Sequence, residues 1–251
     1  MKTAESDAER IPVRADGGEP PFARELDRIR EAYQRRKTTV PLGRYSIKNL
    51  RQALALAEID RIVFQHVAGR HAQFPSSTTV LDIGCGEGHW LRRFIREGAF
   101  PENIVGVDLL PDRIAKARQF CPPLVSLFCC DASQMPFPDG SFDLLLSMTV
   151  FSSILDSNLR RAVATEMLRV LRPGGAIIWY DFHFNNPRNA DVRRVTRDEI
   201  CELFRPCSVD LKRVTLAPPI GQIVAEFEWL YTLLSRIRIL STHYLGWIQK
   251  P

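Results

Sequence analysis

The sequence predicts an α/β domain built on a mostly parallel sheet, with helices wound on both faces. Three observations point there. From about Thr79 onward, short strand-like runs alternate with helical patterns at the spacing of strand–helix–strand units. The runs LLLS (144–147) and AIIWY (176–180) are apolar without alternation, as strands buried on both faces require. The length of 251 residues, 45% hydrophobic and 25% charged, suits one large domain and excludes disorder across most of the chain.

Taken in order, residues 1–21 have no apolar core of a secretory signal. They read as a disordered, solvated tail closed by Gly17, Gly18, Pro20 and Pro21. Residues 22–76 read as a helical N-terminal cap. Its helix over Ser46 to Gly69 offers Leu50, Leu54, Ala57, Ile62 and Val67 for packing. This cap is expected to serve the function more than the folding of the sheet domain, as a lid. The sheet domain then spans 77–251, with strands in TTVLDIG, NIVGVDLL, VSLFCCDA, SFDLLLSM and GAIIWYDF. PDRIAKARQF starts a helix at Pro111, a favoured first position. SNLRRAVATEMLRVLRPGG places Leu159, Val163, Met167 and Val170 on one face, with Ser157 as its N-cap and Pro173-Gly174-Gly175 as its stop. Beyond Asp181, TRDEICELFR is a helix capped by Thr196, and VDLKRVTLA alternates like an antiparallel edge strand. Gly221 to Leu240 reads as one long aromatic-rich helix, a helical insert at about 219–240 ahead of the final strand THYLGWIQK. No internal repeat is present.

The most apolar stretch, Phe142 to Leu155, contains Asp143 and falls short of the roughly 18 to 20 residues of a membrane span. Six cysteines form no CxxC pair and have no histidine at zinc-finger spacing, so neither a structural metal nor a disulfide scaffold is indicated. Cys129 and Cys130 read as small core fillers, and the chain as reduced and cytoplasmic. The net charge of +5 is local: Arg24 to Arg51 holds nine basic residues against three acidic. That segment suits an anionic partner or a solvated helix face. Nucleic acid is the less favoured partner.

The most informative segment is VLDIGCGEGHW, in which a strand leads through Gly84, Gly86 and Gly88 into a helix. Glycines there let a ligand press against the backbone, although a tight turn alone would also use them. The dinucleotide fingerprint needs GxGxxG, and here the third glycine comes one residue early, with His89 in the place expected for glycine. Asp108 closes the second strand 20 residues after Gly88, where a carboxylate can accept from both ribose hydroxyls. Asp131 follows the third strand, where it can meet an adenine amino group. Together they outline a crevice at the carboxyl ends of a parallel sheet.

The stretches VLDIGCGEG, GVDLLPDRIAKAR, CDASQMPFPDGSFDLLLS and EMLRVLRPGGAIIWYDF resemble the class I S-adenosylmethionine-dependent methyltransferases, specifically the methyltransferase type 11 group. They cover about Thr79 to Asp181. The resemblance implies a Rossmann-like, doubly wound, seven-stranded sheet with its last strand antiparallel. It also implies S-adenosylmethionine as cofactor, with S-adenosylhomocysteine as product and no metal. By motif, Asp82, Gly84, Cys85, Gly86 and Gly88 would surround the methionine part. Asp108, with Leu109 beside it, would bind the ribose; Asp131 and Ala132 the adenine; Met148 would lie by the sulfonium. Leu109 and Leu110 depart from the polar residues often found after the ribose aspartate, which leaves that task to Asp108 alone.

The acceptor is expected to be a small molecule, through a hydroxyl of a sugar or of a phenolic or polyketide-like metabolite. Carbon methylation of a natural-product scaffold and methylation of RNA or protein are the alternatives. A base is needed only where a hydroxyl must lose its proton. His183, just after the fifth strand, is the first candidate, with Asp181 to orient it or act itself; a structural histidine is the plainer alternative. His89 is weaker, and His243 reads as structural. Tyr45, Phe151, Tyr180 and Trp229 are expected in the substrate pocket, with Phe227 and Tyr231 crowding the insert. Such aromatics equally suit helix packing or a homo-oligomer interface through the cap or the insert.

Overall fold

The computed structural model describes residues 21–39, 49–69, 77–186 and 189–251. The expected tail (except residue 21), Tyr45 and the start of the predicted helix at Ser46 lie outside the described residues. Seven strands form one sheet in the order β3-β2-β1-β4-β5-β7-β6. β1 (Val80–Ile83), β2 (Ile104–Asp108), β3 (Ser126–Cys129), β4 (Phe142–Met148) and β5 (Leu171–Phe182) are mutually parallel. β7 (Ser241–Gln249) lies antiparallel between β5 and β6 (Ser208–Leu216). The expected sheet, with its last strand reversed, is the observed one. All four residues of β1 are buried, which is what an unalternating apolar run at the sheet centre dictates.

Because β7 is reversed, its first residues share an edge with the last residues of β5 and β6. Phe182 pairs with His243, and Leu216 with Ser241. The carboxyl edge of the sheet therefore continues from the glycine loop after β1 to the end of β6.

Two cores sandwich the sheet. On one face α5 (Ser157–Val170) and α6 (Arg197–Leu203) pack around Trp179, Phe151 and Phe204. On the other, α3 (His89–Arg96) and α4 (Pro111–Phe120) pack with Leu146, Phe94 and Trp247. The N-terminal helices divide between these faces. Leu26 and Ile29 of α1 (Ala23–Thr39) join the first core, while Ile59, Val63 and Val67 of α2 (Leu50–Ala68) join the second.

Several local expectations are corrected. The cap of α5 is Asp156, whose carboxylate accepts from the Asn158 and Leu159 amides at 2.7 and 3.0 Å. A charged acceptor suits the positive helix end better than the Ser157 hydroxyl. Thr196 caps α6 as expected, accepting from the Glu199 amide. The long insert helix is instead two short ones, α7 (Pro218–Val224) and α8 (Glu228–Ser235). A straight 20-residue helix would run about 30 Å. The break lets Val224 and Tyr231 both pack with Leu216. Outside, Ile223, Phe227, Leu233 and Ile239 remain exposed. Cys129 and Cys130 are partly buried and pack at the margins of the cores, Cys130 against the first and Cys129 against the second. The basic residues of α1 are largely paired: Arg28 with Glu25, Arg30 with Asp27, Arg35 with Asp191 and Lys37 with Asp112. Among the described residues, no helix is long and apolar enough to cross a membrane.

Candidate functional site

A cleft opens at the carboxyl edge over β2, β1 and β4. Gly84, Asp108, Leu109, Asp131, Ala132 and Met148, six of the ten residues expected around a cofactor, line it. The sequence did not signal its other walls: Leu26, Ile29 and Tyr33 of α1, Arg113, and the turn of Thr149, Val150 and Ser153.

Gly84, Gly86 and Gly88 all adopt the left-handed backbone that L side chains avoid. At Gly84 a Cβ would also stand 2.8 Å from Val150 Cγ2, so the loop can enter the cleft only as glycine. Asp108 then pins the loop. One carboxylate oxygen accepts from the Gly86 amide and the other from the Leu110 amide, each at 2.9 Å. Burial raises its pKa, and Arg113, 3.8 Å away, pulls it back.

Beneath the loop lies Asp82, 1% exposed, with neither carboxylate oxygen partnered among the described residues. Burial, and then the charge of Asp108, holds its pKa well above the usual carboxylate range. Burial first, and both aspartates after it, likewise push the Cys85 thiol far up. Acidic groups that resist ionisation thus gather beneath a backbone cradle that a Cβ would fill. A cationic ligand would favour their ionised forms, and S-adenosylmethionine, with its ammonium and sulfonium, is such a ligand.

Asp131 accepts from the Ser133 amide and hydroxyl at 2.8 and 2.7 Å, which orients its side chain at the cleft wall. Thr149 has φ +62° and donates its amide to the Tyr180 carbonyl at 2.6 Å. A β-branched residue in that region is strained, and the strain sits at the cleft. Over the top runs α1. Its Glu25 accepts from the Leu155 amide at 2.6 Å, Arg28 donates to the Ser153 carbonyl at 2.6 Å, and the Tyr33 and Ser153 hydroxyls are 3.2 Å apart. The Arg113 guanidinium lies 4.4 Å from the Tyr33 ring centre.

The remaining expected residues are elsewhere. Asp82, Cys85, Gly86 and Gly88 belong to the same strand and loop but are not among the residues that line the cleft. Asp181 is fully committed: its oxygens accept from the Ser152 amide at 3.0 Å and the Phe182 amide at 2.8 Å. It fastens the 151–153 turn to the end of β5, and burial raises its pKa to about 6. His183 donates its amide to the Thr242 carbonyl, tilts its ring over Tyr244 at 4.6 Å, and does not line the cleft. Burial, and then Arg213, lower its pKa. Phe151 is sealed in the core against Trp179 and Phe204. Tyr180 is buried, 3.0 Å from the Thr215 hydroxyl and stacked on His243 at 4.5 Å. Trp229 is 68% exposed, whereas Tyr231, two residues on, is turned inward. Among the described residues, no cluster of three or more His, Cys, Asp or Glu could hold a metal ion.

Residues 80–175 match the model of a methyltransferase domain family. A 2-methyl-6-phytyl-1,4-hydroquinone methyltransferase of Synechocystis sp. is 30% identical over 155 residues, covering 61% of this chain and 47% of that protein. A tRNA N(3)-cytidine methyltransferase of Gallus gallus is 27% identical over 129 residues, covering 47% of this chain and 35% of that protein. The chain thus spans less than half the length of these two curated relatives. Among solved structures, a Burkholderia thailandensis 1,6-didemethyltoxoflavin-N1-methyltransferase, with its acceptor and S-adenosylhomocysteine bound, superposes with a TM-score of 0.62. That match has 18% identity and covers 95% of this chain and 93% of that one. Residues 80–175 thus carry the likeness of a methyltransferase domain, and the whole sheet has the fold of a solved methyltransferase structure.

Proposed function

We propose that this protein transfers the methyl group of S-adenosylmethionine to a hydroxyl-bearing small molecule, with a phenolic metabolite as the foremost acceptor class. The observation that carries the reading is the glycine cradle, backed by buried acids, opening beside a stretch of the same sheet edge lined by rings and apolar side chains. In this reading Asp108 holds the ribose, with Leu109 packed beside it, and Asp131 and Ala132 hold the adenine. Gly84, Gly86 and Gly88 admit the methionine portion, while Asp82 beneath the loop, next to Cys85, balances its charge. Met148 stands between the sulfonium and the acceptor, and α1 shields the bound cofactor from water.

S-adenosylmethionine supplies an activated methyl group, already bonded to positive sulfur. The protein has to hold acceptor, methyl and sulfur in line, which contributes up to roughly 7 to 11 kcal/mol in the best-oriented cases. Asp181, with both oxygens occupied by amides, acts by positioning the 151–153 turn. His183 takes no part at the cleft wall. Carbon methylation of an aromatic ring is the second reading, supported by the likeness to a methyltransferase of a phytyl hydroquinone. RNA is a weaker acceptor class, because the basic residues of α1 already face carboxylates.

Calorimetry with S-adenosylhomocysteine tests the cofactor half, with micromolar affinity expected; no heat at about 100 μM ligand would falsify it. Transfer of labelled methyl to a panel of phenols, sugars and bulk tRNA tests the acceptor class. Labelling of tRNA alone would replace this reading.

A further inference from the structure

Three parts of the chain meet at one guanidinium. Arg113, on α4, lines the cleft. Its Nη1 atom lies 3.8 Å from Asp108 Oδ2, the oxygen that also accepts from the Gly86 amide. A Cβ on Gly86 would stand 3.5 Å from that same nitrogen. On its other side is Tyr33 of α1, whose ring centre lies 4.4 Å from the guanidinium carbon. The glycine loop, the carboxylate assigned to the ribose and α1 therefore share Arg113.

α1 is held on both sides of the cleft. Past the end of β4, its Glu25 and Arg28 bond the backbone of Leu155 and Ser153, and the Tyr33 hydroxyl meets that of Ser153. On the α4 side Lys37 pairs with Asp112, but their side chains are 48% and 36% exposed. Such pairs contribute less than about 1 kcal/mol. The stack of Arg113 on Tyr33 is different, because both residues also line the cleft. A ribose laid against Asp108 displaces water there, and a charge pair strengthens as its surroundings lose water. The guanidinium is then fixed beside the carboxylate and against the Tyr33 ring.

We infer that Arg113 couples occupation of the ribose site to docking of α1, through its ion pair with Asp108 and its stack on Tyr33. This rests on the methyl-transfer reading above, which supplies the ribose, and adds the residue that links the ligand to its roof. Arg113 is a positioning residue: it acts on the ligand through Asp108 and on α1 through Tyr33. The coupling is reciprocal, so undocking α1 weakens ligand binding by the factor with which the ligand favours docking.

The test is hydrogen exchange of the α1 amides in the full chain, with and without saturating S-adenosylhomocysteine, beside its affinity by calorimetry. In the wild type the ligand should slow α1 exchange by about tenfold or more. Arg113→Met should still bind, about fivefold or more weakly, and keep less than about threefold of that protection. Tyr33→Phe retains the ring and should retain the protection, whereas Tyr33→Leu should lose it. Should Arg113→Met fail to fold, Tyr33→Leu carries the same test. The double variant Arg113→Met/Tyr33→Leu should bind no more weakly than the weaker single one, because both break one link. A wild type whose α1 exchange ignores the bound ligand overturns the inference, and so does full protection in Arg113→Met. Protection lost in Tyr33→Phe also overturns it, and would assign the link to the Ser153 hydroxyl. Absence of S-adenosylhomocysteine binding to the wild type would instead remove the methyl-transfer reading beneath it.

Discussion

The two stretches of the carboxyl edge are built in different ways. Over β2, β1 and β4 the carboxylates at the cleft wall are tied to backbone amides: Asp108 to Gly86 and Leu110, Asp131 to Ser133. Over β5, β7 and β6 the polar groups arrive from Glu58, Tyr180, Thr215 and Tyr231 on four separate elements, and Glu58 Oε2 and the Tyr231 hydroxyl have no hydrogen-bond partner among the described residues. Short-range motifs make a site whose shape precedes its ligand. Long-range packing brings polar groups together without fixing each one to a backbone amide.

The comparison breaks most visibly at Gly84. A side chain there meets both a left-handed backbone and the Val150 methyl 2.8 Å away. Gly84→Val should weaken S-adenosylhomocysteine binding by about 3 kcal/mol or more, while thermal unfolding still shows a folded protein. Near-normal affinity would mean that the loop adapts to its ligand and is not preset.

Asp108→Ala comes next, at roughly 1.5 to 3 kcal/mol of cofactor affinity by calorimetry. The change removes a carboxylate and also frees the Gly86 amide it holds. An Asp108→Asn variant keeps an acceptor for that amide, so it should recover part of the loss. Equal loss in both would assign the whole effect to charge.

The same division explains what the sequence discloses. The five parallel strands, Pro111 at the start of α4, the Thr196 cap and the residues Gly84, Asp108, Asp131 and Met148 follow from local pattern and from motif order. The roof formed by Leu26, Ile29 and Tyr33 does not, because an apolar stripe on a helix gives no address for the surface it covers. The inward Tyr231 and outward Trp229 sit in one aromatic run, and only the break between α7 and α8 decides which is buried. Asp181 stands where a base was expected, yet its two amide partners come from a turn 29 residues earlier and from its own neighbour. Thr149 has no signature at all, since left-handed backbone is not expected of threonine.

On the acceptor side, His243 supplies a smaller effect with a definite sign. Burial lowers its folded pKa to about 3, and the neighbouring His183 adds to this. An unfolded histidine titrates near 6.5. As pH falls through about 6.5 the unfolded chain takes up a proton that the folded chain refuses, so stability is lost on acidification. Asp181, raised to about 6, works in the opposite sense and is unaffected by the substitution. Between pH 8 and 5.5 the wild type should lose roughly 1.4 kcal/mol more stability than His243→Phe, as read from urea midpoints at each pH. Parallel curves would mean that the His243 ring, stacked on Tyr180, is protonated in the fold.

The smallest effect is expected at His183. Its ring lies over Tyr244, beyond the end of β5 and away from the cleft, with Nε2 buried and unpartnered among the described residues. A general base must reach the proton it removes within hydrogen-bond distance or through one water. Its lowered pKa keeps the imidazole neutral at working pH, so its chemistry suits a base while its position does not. Geometry decides. His183→Ala should therefore leave S-adenosylhomocysteine affinity within about twofold and change turnover on an accepted phenol by less than about fivefold. The pH–rate profile should keep its shape. A fall of about 100-fold, with loss of the limb near pH 6 to 7, would show that the edge rearranges on acceptor binding to bring this imidazole in, and the separation drawn here between cleft and acceptor side would have to be redrawn.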